Sequence, residues 1–302
     1  MSSRANGHRD ARSQKPLCVV TGASTGLGRA IALQLARAGY AVLAGVRQPA
    51  AQSELDALGM PELWPIRLDV TSDADVLALV ERVQAERARG YQLQAVVNNA
   101  ALCESAPLEL QLPDSLRAHF EVNVVGVQRV LQGLLPALLA AQGRVVNIGS
   151  NVARVAPPFL GSYAASKAAL ETLTDVLRRE LHGSGVQVSL IVPGPVLTPV
   201  WDKIAASVEA VLARADAGAR ERYARRLQRF VALNQRTAER SRLRSEDVAR
   251  AVERILRARS PRPRYELGVG AIAGTWISRT VPTRLLDSAI ARALDVAPEP
   301  AR

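Results

Sequence analysis

The sequence predicts an α/β fold in which a doubly wound parallel sheet of about seven strands carries helices on both faces. Short apolar runs alternate with amphipathic stretches about six times from Leu17 onward, as strands and helices do when they follow one another along a chain. No linker, repeat or low-complexity tract interrupts the series. We therefore expect one domain at residues 16–275, between a disordered basic tail at 1–15 and a C-terminal tail at 276–302.

The same alternation predicts the bounds of each element. We expect strands near residues 17–21, 41–46, 64–69, 95–98, 144–148, 187–192 and 265–269. We expect helices near residues 27–38, 73–89, 114–140, 162–182, 200–236 and 245–258. Parallel sheets of this kind bind ligands at the carboxyl ends of their strands. The functional residues are therefore expected in the loops after the strands, with a helical segment at about 195–240 covering the substrate.

The composition is that of an ordinary globular protein, with 48% hydrophobic and 22% charged residues among 302. Cys18 and Cys103 have no His or Cys neighbour at metal-ligand spacing, so we expect no metal site and a reducing compartment. The first sixteen residues are polar and basic, and no run of about 20 apolar residues occurs. These features predict a cytoplasmic protein without a transmembrane segment.

The net charge of +11 is concentrated in one segment, residues 201–264, which holds 17 Lys and Arg against 8 Asp and Glu. The solvated face of an arginine-rich helix explains this excess. Nucleic-acid binding is the alternative, but aromatic residues make up only 4% of the chain and are not interleaved with the basic ones. We expect no specific nucleic-acid binding, and peripheral contact with an anionic membrane surface stays open.

A glycine-rich turn lies between the first expected strand and the first expected helix. Glycine lets the backbone approach phosphate groups, and a helix N-terminus supplies unpaired N–H groups and a positive dipole. The sequence therefore predicts that a dinucleotide pyrophosphate binds at Gly22, Ser24, Thr25, Gly26, Leu27 and Gly28.

The ends of the next strands carry further candidates for dinucleotide binding. None of positions 43–48 is acidic, and Arg47 suits a 2'-phosphate, so NADP(H) is favoured over NAD(H). Asp69 can accept a hydrogen bond from an adenine amine, or it can instead begin the following helix. Small residues after the fourth strand leave room for a flat cofactor. The candidates at these two strand ends are Asp69, Val70, Asn99, Ala100 and Ala101.

Tyr163 and Lys167 predict a proton-transfer site. On the expected helix at 162–182 they lie one turn apart on the same face, where the ammonium can act on the phenol. A tyrosine useful near neutrality needs a pKa roughly 3 units below its usual value of about 10. The lysine and a cationic nicotinamide are the expected sources of that shift, and Ser150 lies thirteen positions upstream. A chance pairing on a helix is the alternative.

Taken together, these residues resemble the short-chain dehydrogenase/reductases, which have a single-domain Rossmann fold. The similarity covers residues 17–200 in the family's order. Ala101 stands where the family usually has glycine, and Gly149 precedes Ser150 where many members have a second serine. The matching segments are Thr21-Gly22-x-x-x-Gly26-x-Gly28, Asp69-Val70, Asn98-Asn99-Ala100, Asn123-Val124-Val125-Gly126, Ser150, Tyr163-x-x-x-Lys167 and Pro193-Gly194-Pro195-Val196-Leu197-Thr198.

The resemblance implies a catalytic tetrad of Asn123, Ser150, Tyr163 and Lys167. In that scheme Tyr163 gives or takes the proton on the substrate oxygen, and Ser150 hydrogen-bonds that oxygen. Lys167 lowers the pKa of the tyrosine and holds the nicotinamide ribose, while Asn123 anchors a water. Hydride passes directly between nicotinamide and carbon, so no metal is required. The residues implied at the nicotinamide carboxamide are Pro193, Gly194, Val196 and Thr198.

A finer similarity points to the branch that contains hydroxysteroid and retinol dehydrogenases. It implies an apolar alcohol or carbonyl substrate of steroid, retinoid or lipid type. The candidate pocket residues are Val152, Phe159, Pro195 and Trp201, although a loop proline and a helix-anchoring tryptophan explain the last two almost as well. Family members commonly form homodimers or homotetramers through the helices at 114–140 and 162–182.

Two other functions fit the same motifs. A ketone reductase of polyketide-type secondary metabolism would use the same tetrad. A non-catalytic, nucleotide-sensing protein of this fold is less consistent with the sequence, because all four tetrad residues are present.

Overall fold

Seven parallel strands form one sheet in the computed structural model, which describes residues 15–294 apart from the side chains of 278 and 279. The sheet has the order β3-β2-β1-β4-β5-β6-β7, which confirms the predicted doubly wound parallel arrangement. The winding direction reverses between β1 and β4, so ligands are expected at the carboxyl ends of these strands. The strands are β1 (Lys15–Val20), β2 (Ala41–Val46), β3 (Leu63–Arg67), β4 (Tyr91–Asn98), β5 (Arg144–Ile148), β6 (Gln187–Pro193) and β7 (Arg264–Leu267).

Helices cover both faces of this sheet. A 3-10 turn at Leu108–Leu110 and a π-helical turn at Glu121–Val125 complete the regular structure of the described residues. The helices are α1 (Gly26–Arg37), α2 (Pro49–Asp56), α3 (Asp73–Ala88), α4 (Pro113–Phe120), α5 (Gly126–Ala141), α6 (Val152–Val155), α7 (Gly161–Glu180), α8 (Val200–Arg214), α9 (Ala217–Arg240), α10 (Ser245–Arg257), α11 (Val269–Thr280) and α12 (Thr283–Ala293).

Burial on both faces explains why the strands are continuous apolar runs rather than alternating ones. In β1, Cys18 and Val20 face a core shared with α1 and α10. Leu17 and Val19 face the opposite core, which is shared with α3, α5 and α7. The sheet therefore holds its strand ends rigidly, and the loops that follow them are built on a fixed frame.

The predicted helix at 200–236 is wrong as a single element, because α8 ends at Arg214 and α9 begins at Ala217. The side chain of Asp216 accepts a hydrogen bond from the backbone N–H of Ala219 across 2.7 Å. An aspartate in that position caps a new helix, which explains the break.

The predicted helix at 114–140 is likewise interrupted, by the π-helical turn between α4 and α5. Within residues 15–294, Pro113–Ala141 is also the stretch long and apolar enough to cross a membrane, with a mean hydropathy of 1.5. Val130, Leu134 and Leu138 of this stretch are buried against the sheet. The core helices of globular proteins can be equally long and apolar.

The C-terminal part is more regular than a tail. The last strand ends at Leu267 rather than at residue 269, because Gly268 turns the chain with a φ of +82° into α11. Within the predicted tail at 276–302, the structure has the end of α11 and all of α12. The short helices α2 and α6 were not predicted either. Residues 1–14 of the predicted basic tail and residues 295–302 lie outside the described residues.

Candidate active site

The glycine turn lies at the crevice between β1 and β4. Gly22 has a φ of +66°, and an added Cβ there would lie 2.7 Å from the Cα of Ala100, so a side chain does not fit. A Cβ on Gly28 would overlap the carbonyl oxygen of Gly22. Among the described residues, no side chain caps the N-terminus of α1 and no acid lies in its first turn. Its first N–H groups and its dipole therefore suit a pyrophosphate.

Asn99 and Thr21 tie this turn to the end of β4. The Nδ2 of Asn99 donates to the carbonyl oxygens of Thr21 and Gly22, each across 3.0 Å. The backbone N–H groups of Asn99 and Ala100 donate to Thr21 Oγ1, also across 3.0 Å. The side chain of Asn99 therefore holds the backbone of the glycine turn in place at the crevice. The sequence predicted Thr21 only as part of the glycine motif and gave no local signal for this role.

Arg47 and Asp69 follow β2 and β3 at the same edge of the sheet. Asp69 Oδ1 accepts hydrogen bonds from the backbone N–H and the hydroxyl of Thr71, across 3.0 and 2.8 Å. Burial raises the pKa of this carboxyl, but the Thr71 hydrogen bonds and the charges of Arg47 and Arg67 outweigh burial and lower it. Ser72, not Asp69, caps α3 by accepting from the N–H of its third residue. The alternative prediction, that Asp69 begins the following helix, is therefore wrong, because Ser72 does so.

The loop after β6 closes over the glycine turn. Gly194 N–H donates to the carbonyl oxygen of Leu267 across 2.9 Å, which holds the loop to the end of β7. A Cβ on Gly26 would lie 3.5 Å from the Cβ of Thr198, so Thr198 borders the predicted pyrophosphate site. Pro193 ends β6 and Val196 is buried between these contacts.

Tyr163 and Lys167 lie one turn apart in the first half of α7, as predicted. Lys167 Nζ donates to the carbonyl oxygen of Ile148 across 2.8 Å and lies 5.9 Å from the centroid of the Tyr163 ring. Ile148 ends β5, and Ser150 follows two residues later. Burial lowers the pKa of Lys167 to about 8. Most Lys167 side chains are therefore protonated near neutrality, with a pKa only slightly above that pH.

The phenol of Tyr163 has a pKa above its usual value in the protein alone. Burial is the main cause, and the nearby thiol of Cys103 adds to it, whereas a hydrogen bond with Ser150 acts in the opposite direction. That hydrogen bond brings two of the predicted tetrad residues together. These groups do not produce the predicted lowering of the tyrosine pKa, which stays a prediction.

Asn123 lies in the π-helical turn and is fully buried. Its Oδ1 accepts from the N–H of Leu102 across 2.7 Å, and its Nδ2 donates to the Leu102 carbonyl and to Ser166 Oγ, each across 2.9 Å. Ser166 in turn donates to the carbonyl oxygen of Tyr163. Asn123 therefore joins the loop after β4 to α7. The water contact implied for it stays a prediction.

An apolar cluster lies beside Tyr163 and Lys167. The thiol of Cys103 belongs to this cluster and interacts electrostatically with both residues, while burial raises its own pKa to about 12. The Phe159 ring packs edge-on against Phe230, with centroids 5.6 Å apart. The buried members are Leu160, Phe230 and Leu294, and those packed against them are Cys103, Val152, Phe159, Val231 and Ile290.

Two of the four predicted pocket residues, Val152 and Phe159, thus lie in the cluster. Trp201 instead donates its Nε1–H to the carbonyl oxygen of Val196 across 2.8 Å, which anchors the start of α8. Pro195 packs against Gly270 of α11. The sequence did not predict Phe230, Leu294 and Ile290 in this cluster, because no local pattern distinguishes them from residues of an ordinary helix core.

A family model described as short chain dehydrogenase matches residues 16–209, which is more than half of the chain. The chain belongs to the short-chain dehydrogenase/reductase family. It is therefore an oxidoreductase that acts on CH–OH groups, and the Rossmann fold and nucleotide binding implied by its motifs are confirmed.

Curated relatives extend the similarity beyond the matched region. A 3-amino-tetrahydro-pyrrolizinone reductase of Xenorhabdus hominickii is 34% identical over 250 residues, covering 83% of this chain and 86% of the relative. Retinol dehydrogenase 5 of Mus musculus is 32% identical over 286 residues, covering 90% and 86%. The 17-beta-hydroxysteroid dehydrogenase type 6 of Rattus norvegicus is 31% identical over 276 residues, with the same coverage. The predicted similarity to the hydroxysteroid and retinol dehydrogenase branch is confirmed.

Solved structures share the fold of this short-chain dehydrogenase/reductase. One from Streptomyces avermitilis has a TM-score of 0.67 at 25% identity and covers 93% of this chain and 96% of its own. One from Burkholderia phymatum, in complex with NAD, has a TM-score of 0.72 at 24% identity and covers 96% and 98%. Another from Burkholderia cenocepacia, in complex with NADP, has a TM-score of 0.65 at 24% identity and covers 95% and 98%. A nicotinamide cofactor is supported, without a preference between the two.

Proposed function

We propose that this protein is an NADP(H)-dependent oxidoreductase that interconverts an alcohol and a ketone or aldehyde on an apolar substrate of steroid, retinoid or lipid type. The observation that carries the proposal is the apolar cluster around Phe230, which adjoins Tyr163 and Lys167 through Cys103. A substrate with an apolar body and one oxygen fits a site with one proton donor and apolar walls.

The residues divide the chemistry between them. Bound nicotinamide supplies or accepts the hydride. Tyr163 gives the proton to the substrate oxygen in reduction and takes it in oxidation, and Ser150 hydrogen-bonds the same oxygen. Lys167 presents a buried ammonium beside the phenol, and this charge favours the phenolate that forms when Tyr163 gives up its proton. Asn123 keeps α7 in place against the loop that carries Cys103.

The helices α9 and α12 close the apolar side of the site. The carboxylate of Glu109, in the 3-10 turn, accepts a hydrogen bond from the Tyr223 hydroxyl across 2.7 Å and pairs with Arg222. This contact holds the start of α9 to the loop after β4, and Leu294, just after α12, packs with Phe230. Closure of this kind keeps water away from a hydride-transfer step, which supports the predicted substrate cover at about 195–240.

The preference for NADP(H) rests on Arg47. It is exposed at the carboxyl end of β2, near enough to Asp69 to affect its pKa, and positions 43–48 contain no acid that would bind ribose hydroxyls. The guanidinium groups of Arg47 and Arg67 give this edge the positive charge that a 2'-phosphate requires.

Association into a homodimer or homotetramer is supported by the outer surface of α4, α5 and α7. Most of the apolar residues of α5 are buried in the core, including Val127, Val130 and Leu134. A separate set on α4, the π-helical turn and α7 is at least 37% exposed and suits a second copy of the chain: Leu116, Val125, Leu173 and Val176. The proposal also includes a cytoplasmic location. Peripheral contact with an anionic membrane surface is compatible with it.

A ketone reductase of secondary metabolism is the second candidate. The observation that favours it is the 34% identity to the pyrrolizinone reductase of Xenorhabdus hominickii over most of both chains. A non-catalytic protein is disfavoured by the intact set of Asn123, Ser150, Tyr163 and Lys167.

A substrate screen tests the proposal. Purified protein is assayed with steroids, retinoids and cyclic ketones, each with NADP(H) and with NAD(H), by the absorbance of the reduced nicotinamide. We expect turnover of an apolar substrate with NADPH or NADP⁺, and a loss of about 10²- to 10⁴-fold in the Tyr163→Phe variant. Binding of neither cofactor, or equal turnover by Tyr163→Phe, would contradict it. Turnover confined to small heterocyclic ketones would favour the second candidate.

A further inference from the structure

A partly buried cluster of charged side chains lies next to the loop that carries Ser150. Arg154, in α6, has a side chain only 16% exposed. Its Nε donates to Glu171 Oε2 across 3.3 Å, and its Nη1 donates to Glu266 Oε1 across 3.1 Å and to Thr275 Oγ1 across 3.0 Å. Thr275 itself donates to Glu266 Oε1 across 2.9 Å. One guanidinium therefore joins four elements, α6, α7, β7 and α11.

The contact with α7 is made on the helix of the proposed proton donor. Glu171 lies one turn beyond Lys167 and two turns beyond Tyr163, and its side chain is 11% exposed. Arg264 Nη1 donates to the same Glu171 oxygen across 2.7 Å. Two arginines therefore share the Oε2 of Glu171, and Arg264 keeps this oxygen in place as the acceptor for Arg154.

The contact with α11 is supported by close packing. A Cβ on Gly274 would lie 3.0 Å from Val155 Cγ2, and a Cβ on Gly270 would lie 2.9 Å from Pro195 Cδ. The helix α11 therefore rests both on α6 and on the loop proposed to line the nicotinamide. Thr275 and Glu266 lock Arg154 to this support.

We propose that Arg154 is a positioning residue, which holds the turn that carries Ser150 at hydrogen-bonding distance from Tyr163. Ser150 and Tyr163 form one polar tie between this turn and α7, and Ser150 Oγ also accepts from the backbone N–H of Val152, the first residue of α6, across 3.4 Å. The bond from Arg154 to Glu171 is a second tie between the same turn and the same helix, and two ties fix their relative orientation. The inference rests on the proposed roles of Ser150 and Tyr163 and goes beyond them.

The Arg154→Met variant tests this inference by removing the guanidinium; Glu266 loses its ion pair, but its side chain is 23% exposed and reaches solvent. Glu171 keeps Arg264, and Glu266 keeps Thr275, so the variant is expected to fold. We expect kcat to fall by about ten- to a hundredfold, as misplacement of a catalytic group does, while KM for the nicotinamide cofactor changes by less than about twofold. Arg178→Met, which removes a more exposed arginine of α7 that pairs with Asp175, is the matched control and should leave kcat unchanged.

A pH profile separates positioning from a general loss of structure. The Ser150 hydrogen bond lowers the pKa of Tyr163, so loosening it raises that pKa. In the oxidation direction, which needs the phenolate, the rise of activity with pH should therefore move to higher pH in Arg154→Met. An unmoved profile with lower kcat would overturn the proposal. Arg154→Lys should recover part of kcat, because an ammonium can pair with Glu171 but cannot span both carboxylates.

A double-mutant cycle with Ser150→Ala decides whether Arg154 acts through Ser150. If it does, Arg154→Met causes little further loss of kcat in the Ser150→Ala background. A full additional loss there would refute the proposal, whereas full activity of Ser150→Ala alone would refute the proposed function instead. If Arg154→Met does not fold, Glu266→Gln weakens one arm of the cluster and should give a smaller loss that also disappears in the Ser150→Ala background.

Discussion

The side-chain amide of Asn123 donates to Ser166 Oγ across 2.9 Å, and Ser166 Oγ donates in turn to the carbonyl oxygen of Tyr163 across 2.8 Å. Both side chains are fully buried. This chain of hydrogen bonds connects the π-helical turn with the first turn of α7. The helix that carries the proposed proton donor therefore cannot rotate without leaving a buried N–H unpaired.

Ser166→Ala should destabilise the protein, because it leaves one N–H of Asn123 without its acceptor. We expect the free energy of unfolding to fall by about 1–3 kcal/mol and kcat to fall with it. Ser162→Ala is the control in the same helix, since the Ser162 hydroxyl is equally buried but has no partner among the described residues. Urea denaturation of both variants checks this, and equal losses would contradict the role of Ser166.

Lys167→Met should stabilise the fold while removing activity. Burial lowers the pKa of Lys167 from 10.5 to about 8, which corresponds to a cost of about 3 kcal/mol for the buried ammonium. Losing the hydrogen bond to Ile148 offsets about 1–2 kcal/mol. The free energy of unfolding near neutral pH should therefore rise by about 1–2 kcal/mol.

The pH dependence of stability gives this prediction a second measurement. Between about pH 8 and 10.5 the unfolded chain keeps the proton of Lys167 and the folded protein releases it. The stability of the unmodified protein therefore gains from this group as pH rises through that window. Lys167→Met lacks this gain of about 3 kcal/mol, so the two stability curves should cross in this window, and the unmodified protein should be the more stable of the two above about pH 10.5. Parallel curves would show that the buried charge has no such cost.

Arg47→Asp should exchange the cofactor preference. Loss of a charged hydrogen bond to a 2'-phosphate, and the new repulsion, should weaken NADPH binding by about ten- to a hundredfold or more. NADH binding should be unchanged or stronger, because an acid at this strand end suits ribose hydroxyls. Fluorescence titration measures both dissociation constants. The same charge change at the exposed Arg87, at the far end of α3, is the control for net charge, and it should alter neither.

Phe230→Leu should weaken the binding of an apolar substrate and leave the cofactor unaffected. The ring is 3% exposed in the apolar cluster, and removing three buried carbons should raise KM by roughly tenfold or more. Leu233→Ala, on the same helix with a side chain 43% exposed, should leave KM unchanged. A loss of stability in Phe230→Leu without a change in KM would mean that the cluster is only the core of the cover.

The strands and the glycine turn could be predicted because their physical causes are local. A strand buried on both faces needs a continuous apolar run, and β1 meets this need within six residues. Gly22 needs a positive φ and room for Ala100, and only glycine satisfies both. The spacing of Tyr163 and Lys167 on one helix face is equally local, so their proximity followed from the sequence.

The interruption at Asn123 could not be predicted from the residues around it. Neither glycine nor proline occurs in Glu121–Val125, and the turn is supported by hydrogen bonds to Leu102 and Ser166, which lie 21 and 43 positions away. The break before α9 did have a local signal in Asp216. The apolar cluster had no local signal, because it joins Cys103, Phe230 and Leu294, which are far apart in the sequence.

The strand order has a consequence for how the protein folds. Leu17 in β1 pairs with Leu93 in β4, and closing so long a loop is slow compared with local pairing. The glycine turn lies on one side of this junction and Asn99 on the other. A dinucleotide that binds there stabilises the state in which β1 and β4 are paired. At a concentration one hundred times its Kd, it adds about 2.7 kcal/mol to the free energy of unfolding. The yield of native protein in a refolding experiment should therefore rise with the concentration of nicotinamide cofactor.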